Sequence, residues 1–310
     1  MAQVNDPGRL LKPEFLARLK SLVVRARGAV DGVLTGLHRS PHHGSSVEFA
    51  EHKEYAPGDE IRHIDWKVYG KSDKYYIKRF EHETNLQAML LIDASSSMLY
   101  KSPAAPVSKW EYGITVAASL AYLLLRQQDA VGLTIADHEV REYVPPRSRS
   151  SHLMHLCEVM LAAEPKKGVE TSLLVAANQL SEVLTRRGLV FVISDFLDTD
   201  RRFFQVLRQL ESRRHHVHLF HVLDPWELTF PFDDMTLFRS LETGKPLLAE
   251  PRVMREAYLL EIRRFVQDLR RSSLESGMEY RLMQTDVELE AALTTFLAAR
   301  PQELSFLDGV

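Results

Sequence analysis

Residues 87–98 read Gln87-Ala88-Met89-Leu90-Leu91-Ile92-Asp93-Ala94-Ser95-Ser96-Ser97-Met98. A short, unbroken apolar run of this kind predicts a strand buried on both faces, as in a parallel sheet covered by helices. At its carboxyl end the run gives way to a carboxylate and two hydroxyls at alternate positions. A second stretch repeats the pattern: Gly188-Leu189-Val190-Phe191-Val192-Ile193-Ser194, followed by Asp195 and Phe196. Two buried strands that each end in oxygen donors decide the fold class and point to one edge of one sheet.

The rest of the chain fits around these strands. Trp110, Ile114, Ala117, Ala121 and Leu124 mark one face of a helix. A strand is expected at 131–136 and an extended stretch at 139–144, then helices near 150–163 and 172–186. Phe203, Phe204, Leu207 and Leu210 mark another helix. A strand at 216–223, a long helix at 252–275, a strand at 278–284 and a helix at 287–299 complete the pattern. Strands alternating with helices through right-handed crossovers make an α/β, doubly wound (Rossmann-type), mostly parallel sheet. Such sheets bind ligands beyond the carboxyl ends of their strands, where the strand order reverses.

Upstream the texture differs. Pro13 and Glu14 open a helix in which Phe15, Leu16, Leu19, Leu22 and Val23 share a face. Residues 28–46, rich in Gly, Ser and His, read as a loop. Residues 47–85 are polar, charged and aromatic, with a turn at Pro57-Gly58-Asp59 and short strands expected within 61–68 and 75–80. Asp59, Arg62 and Asp65 read as a structural turn with an internal ion pair and Trp66 as core, with a partner-docking surface formed by the four as the alternative. The expected division is an N-terminal helix and small β-rich module over 1–85, the α/β domain over 86–300 and a tail over 301–310.

Bulk properties narrow the function. A formal charge of -3 exerts no global pull toward nucleic acid or anionic membrane. The single cysteine, Cys157, rules out an intramolecular disulfide, and its apolar neighbours read as core. The N-terminus lacks an apolar signal core, and the run from Ile114 to Leu125 is too short to span a bilayer. A cytoplasmic location is expected. His215, His216, His218 and His221 read as strand or surface residues rather than metal ligands, and the arginines of the helices as solvated faces.

Asp93, Ser95, Ser97, Thr171 and Asp195 form the candidate site. All are hard oxygen donors, suited to Mg²⁺ or Mn²⁺ rather than zinc. Asp-x-Ser-x-Ser alone is a short pattern that arises by chance. The reading rests on Thr171 preceding the helix at 172–186 and on Asp195 ending a strand that should neighbour the first. Each residue also has a plainer role: Thr171 and Asp195 as helix caps, the serines as turn residues. A metal-assisted phosphohydrolase using the same crevice is the enzymatic alternative. Ser95, however, occupies the second position of the Asp-x-Asp expected for a phosphoaspartate mechanism. No Gly-x-Ser-x-Gly or His-Glu-x-x-His occurs.

The five-residue set resembles the metal-ion-dependent adhesion site of von Willebrand factor A domains. The chain as a whole resembles the DUF58 family, over roughly residues 35–300. The motifs that carry this resemblance are Glu48-Phe49-Ala50-Glu51, Glu54-Tyr55, Pro57-Gly58-Asp59, Arg62-His63-Ile64-Asp65-Trp66 and Lys78-Arg79-Phe80-Glu81. Later come His221-Val222-Leu223-Asp224-Pro225-Trp226-Glu227 and Phe230-Pro231-Phe232. Lys53 and Lys71 stand where the family usually has arginine, which keeps the charge but loses a planar fork. The resemblance implies a von Willebrand factor A-like fold. It also implies a divalent ion held directly or through water, with one open position that a partner's carboxylate fills. It further implies a non-enzymatic chain working with a MoxR-type AAA+ ATPase in chaperone-like maturation. The chain has no Gly-x-x-x-x-Gly-Lys-Ser/Thr loop of its own.

Overall fold

The computed structural model describes residues 13–38, 52–54, 76–78, 86–168, 172–184, 187–197 and 201–298. The expectations for Thr171, for Asp59, Arg62, Asp65 and Trp66, for a strand within 61–68 and for the tail at 301–310 lie outside these residues.

Six strands form the central sheet: β3 (Gln87–Asp93), β4 (Ala130–Ala136), β5 (Val140–Arg147), β6 (Gly188–Ser194), β7 (His216–Leu223) and β10 (Glu279–Gln284). Their spatial order is β10-β7-β6-β3-β4-β5. All neighbours are parallel except β4 and β5. The α/β, doubly wound architecture is therefore the observed one. From β3 the chain first builds outward to β4 and β5, then returns to lay β6 on the other side of β3. The switch point thus falls between β3 and β6.

Alternation along the strands divides the core. Ala88, Leu90 and Ile92 of β3, with Phe191 and Ile193 of β6, pack against helices α1 (Pro13–His38), α2 (Lys109–Arg126) and α3 (His152–Ala162). Met89 and Leu91, with Val190 and Val192, face the other way. They pack against α4 (Leu173–Val183), α5 (Arg201–Ser212) and α7 (Pro251–Glu275). Helix α8 (Leu289–Ala298) adds Leu293 to the first cluster.

Residues 28–38 are helical rather than loop, so the expected loop at 28–46 is corrected over that part. Ala29 and Val30 continue the apolar spacing of Leu22 and Ala26 and are buried with them. Gly28 lies on the open side of the helix, where its backbone freedom costs little against that burial. Phe15, Leu19, Leu22, Val23, Ala26 and Ala29 all enter the core of the α/β domain, so this helix is packed into the main body. Two short antiparallel strands, β1 (His52–Glu54) and β2 (Tyr76–Lys78), are described from the upstream segment.

Cys157 is fully buried in α3, and burial pushes its thiol up to about 12. The thiol therefore stays protonated well above the pH at which a free cysteine ionises. At about pH 8 the folded protein is expected to resist iodoacetamide, while the denatured chain is alkylated. Equal labelling rates by mass spectrometry would contradict this burial.

Candidate metal centre

The centre lies at the carboxyl ends of β3 and β6. Strand β3 delivers Asp93 there, and the chain then enters a single 3-10 turn, Ser96–Leu99. The Ser95 amide donates to Asp93 Oδ1 at 2.8 Å, which folds the loop back over the carboxylate. Ser95 and Ser97 are thereby brought together, their hydroxyl oxygens 3.0 Å apart. From β6, the Ser194 hydroxyl donates to Asp93 Oδ2 at 2.6 Å. That bond ties the ends of the two central strands.

Asp195 turns into the same crevice because the next residue bends sharply. Phe196 has a φ of 54°, the left-handed region that a bulky side chain seldom occupies. Its amide donates to Ser194 Oγ at 2.8 Å and its ring is buried, contacts that hold this costly conformation. The Leu197 amide donates to Asp195 Oδ1 at 3.1 Å, and the Ser97 hydroxyl lies near enough to favour the charged Asp195 carboxylate. Asp93, Ser95, Ser97 and Asp195, predicted from sequence, thus form one connected cluster. Ser97 is partly exposed and the other three are buried.

Two buried carboxylates side by side repel. Burial first, and then the negative charge of Asp195, push the Asp93 carboxyl up to about 7, against the bonds from Ser194 and Ser95. Asp195 is held below the usual carboxylate range: burial is the largest single influence and would raise it, but the Lys109 charge and hydrogen bond, with Ser97 and the Leu197 amide, together outweigh burial.

Described residues on either side of 169–171 are tied to this edge of the sheet. Ser96 Oγ donates to the Lys166 carbonyl at 2.8 Å, and the Ser172 amide donates to the Asp137 carbonyl at 2.8 Å.

Two participants, Ser194 and Lys109, escaped the sequence reading. Ser194 looked like the last residue of a strand. Lys109 is the first residue of α2, directly after its capping residue Ser108. It is fully buried, and its Nζ donates to Asp195 Oδ2 at 2.7 Å and to Glu227 Oε1 at 2.6 Å. Glu227 belongs to the short helix α6 (Pro225–Thr229), where its Oε2 accepts the Asp224 amide at 2.8 Å. By sequence, Asp224 and Glu227 follow a strand's end near this edge and read as tuning the site or holding a loop rather than as ligands. No local pattern marks these contacts, because the partners of Lys109 lie 86 and 118 residues away.

Among the described residues no three His, Cys, Asp or Glu side chains are grouped to hold a metal. The histidines agree with their plainer reading. His218 stacks on Phe191, and His221 Nδ1 hydrogen-bonds the Tyr280 hydroxyl at 2.7 Å. A centre built on hydroxyls and two carboxylates is a different donor set, and its chemistry fits a hard cation. Octahedral Mg²⁺ with bonds of 2.0–2.1 Å places adjacent ligands about 3 Å apart. The Ser95 and Ser97 hydroxyls already stand at that separation.

The structure is a mostly parallel, doubly wound α/β domain. The family model described as "Protein of unknown function DUF58" matches residues 51–266, and the chain belongs to that family. It is 27% identical over 297 residues to the uncharacterized protein Rv1480 of Mycobacterium tuberculosis (strain ATCC 25618 / H37Rv), covering 94% of this chain and 92% of that one. The uncharacterized protein YeaD of Bacillus subtilis (strain 168) is 26% identical over 136 residues, 44% of this chain and 31% of that protein. Among solved structures, the conserved hypothetical protein BatB from Bacteroides thetaiotaomicron is similar with a TM-score of 0.45 and 16% identity, covering 69% of this chain and 98% of that one. The SpRpn10 VWA domain is similar with a TM-score of 0.38 and 8% identity, covering 67% and 93%. Among the described residues no helix is long and apolar enough to cross a membrane.

Proposed function

We propose that this chain is a cytoplasmic, non-enzymatic interaction module that binds a carboxylate of a protein partner through one divalent ion. Asp93, Ser95, Ser97 and Asp195 hold Mg²⁺ or Mn²⁺, and Thr171 supplies a further oxygen. The observation that carries the reading is the meeting of these four described side chains at one strand edge, with the two hydroxyls at the separation of adjacent octahedral ligands. A divalent ion relieves the repulsion between the two buried carboxylates, and a partner's carboxylate completes its shell. The partner is a MoxR-type AAA+ ATPase, with which the chain works in chaperone-like assembly or maturation of complexes. That assignment rests on the family resemblance and on the absence of a nucleotide-binding loop in this sequence.

Calorimetric titration with Mg²⁺ or Mn²⁺ is expected to give saturable heat with the unmodified chain. Asp93→Ala is expected to give none, because it removes one of the two carboxylates from the centre. Equal heats from both proteins would remove the site. For the partner, affinity capture is run with and without chelator. The ATPase is expected to be retained only when the divalent ion is present; retention in chelator would refute capture through the metal.

A further inference from the structure

Lys109 stands in an unfavourable place for a cation. It is fully buried, and it puts a positive charge at the N-terminus of an 18-residue helix, the end where the backbone dipole already favours anions. A buried ion pair is seldom needed for stability, since apolar residues of like volume often serve as well. What its position does achieve is a cation at the centre. Its ammonium occupies Asp195 Oδ2 at 2.7 Å, while Oδ1 is bonded by the Leu197 amide. The face of the Tyr100 ring lies 5.9 Å from Nζ on a further side.

We infer that Lys109 is a tethered cation that competes with the divalent ion for Asp195, and that Glu227, by sharing the ammonium, sets how tightly the centre holds metal. The inference deepens the proposed function and rests on it. Like charges a few ångströms apart in a site shielded from water repel strongly, so the ammonium disfavours a second cation beside it. Glu227 opposes this in two ways. It draws Nζ away from Asp195 at 2.6 Å, and it adds a negative charge of its own. Its position is fixed through Oε2, which accepts the Asp224 amide, while Asp224 Oδ2 accepts the Ser102 amide at 2.8 Å. Displacing α6 would therefore move Glu227, return the whole ammonium to Asp195 and loosen the metal. The half-buried Trp226 of α6 is where such a displacement would be felt from outside.

The two ends of the pair give changes of opposite sign. In Mn²⁺ and Mg²⁺ titrations of the full chain, Lys109→Met is expected to bind about tenfold tighter than the unmodified protein. Glu227→Gln is expected to bind about tenfold more weakly. A merely structural lysine would make both variants bind more weakly, and that result, or no change in either, overturns the inference. If both stay unchanged while Asp93→Ala still abolishes binding, the metal centre stands and the competition falls. If only Lys109→Met binds, the competition stands and a resident metal in the unmodified chain falls. Lack of binding in every protein overturns both. Because Lys109→Met leaves Asp195 and Glu227 unpaired, melting is measured alongside in Mn²⁺ and in chelator. Mn²⁺ is expected to raise the melting temperature more in Lys109→Met than in the unmodified chain. A variant that stays unfolded with Mn²⁺ present would also overturn the inference.

Discussion

Asp224→Ala is expected to destabilise the protein by about 3–5 kcal/mol, read as a lower urea midpoint with an unchanged slope. Asp224 is fully buried at the end of β7. Its Oδ1 accepts the Trp226 amide at 2.9 Å and its Oδ2 accepts the Ser102 amide at 2.8 Å. Alanine leaves both amides without an acceptor, and each such loss costs about 1–3 kcal/mol when the group cannot reach water. The Trp226 bond is itself the N-cap of α6, so the cap adds nothing beyond that loss. Asp224→Asn keeps one acceptor oxygen, so it is expected to lose about half as much. A midpoint for Asp224→Ala within about 0.5 kcal/mol of the unmodified protein would mean that neither bond matters to folding.

The same residue shows where sequence reading reaches its limit. Strands β6 and β7 were legible to the residue, at 188–194 and 216–223: β6 is an apolar run, β7 is apolar between its histidines, and a polar residue marks the carboxyl end of each. Asp93, Ser95, Ser97 and Asp195 were legible because a parallel sheet sends the carboxyl ends of neighbouring strands to one place. Long-range polar pairing has no such periodicity. Lys109 stands in Ser108-Lys109-Trp110-Glu111, which reads as a capped helix start with a solvated charge. Ser108 and Glu111 do form that capping box, and the lysine between them is buried all the same. The hairpin of β8 (Thr236–Arg239) and β9 (Pro246–Ala249) was missed for a different reason. Leu237, Leu247 and Leu248 are exposed, so burial imposes no alternation on the strands. The helical run from Gly28 to His38 was missed because two kinds of evidence conflicted. Glycine and histidine content pointed to a loop, while tertiary burial of Ala29 and Val30 favoured the helix.

Gly188→Ala is expected to cost about 2–4 kcal/mol while leaving metal affinity intact, a combination that separates the scaffold from the site. Gly188 opens β6 and pairs with Gln87 at the start of β3. A Cβ at this position would overlap the carbonyl oxygen of Gln87 and press on its carbonyl carbon at 3.2 Å. Backbone cannot rotate away as a flexible side chain can, so the two central strands must part at this end. Six register pairs, from Gln87 with Gly188 to Ile92 with Ile193, join these strands. At about 3.3 Å per residue the metal centre lies some 20 Å from the clash. The Ser194–Asp93 bond closes the strands at that far end. Gly28→Ala is the matched control. Nothing lies within 4 Å of a Cβ there, and the residue is helical, so alanine is expected to stabilise by about 0.5–1 kcal/mol. Urea unfolding of both variants, with Mn²⁺ titration of Gly188→Ala below its unfolding range, measures the contrast. Unchanged stability would deny the close approach of β3 and β6. Lost metal affinity in a folded Gly188→Ala would show that the centre depends on the entry of the strands as well as on their carboxyl ends.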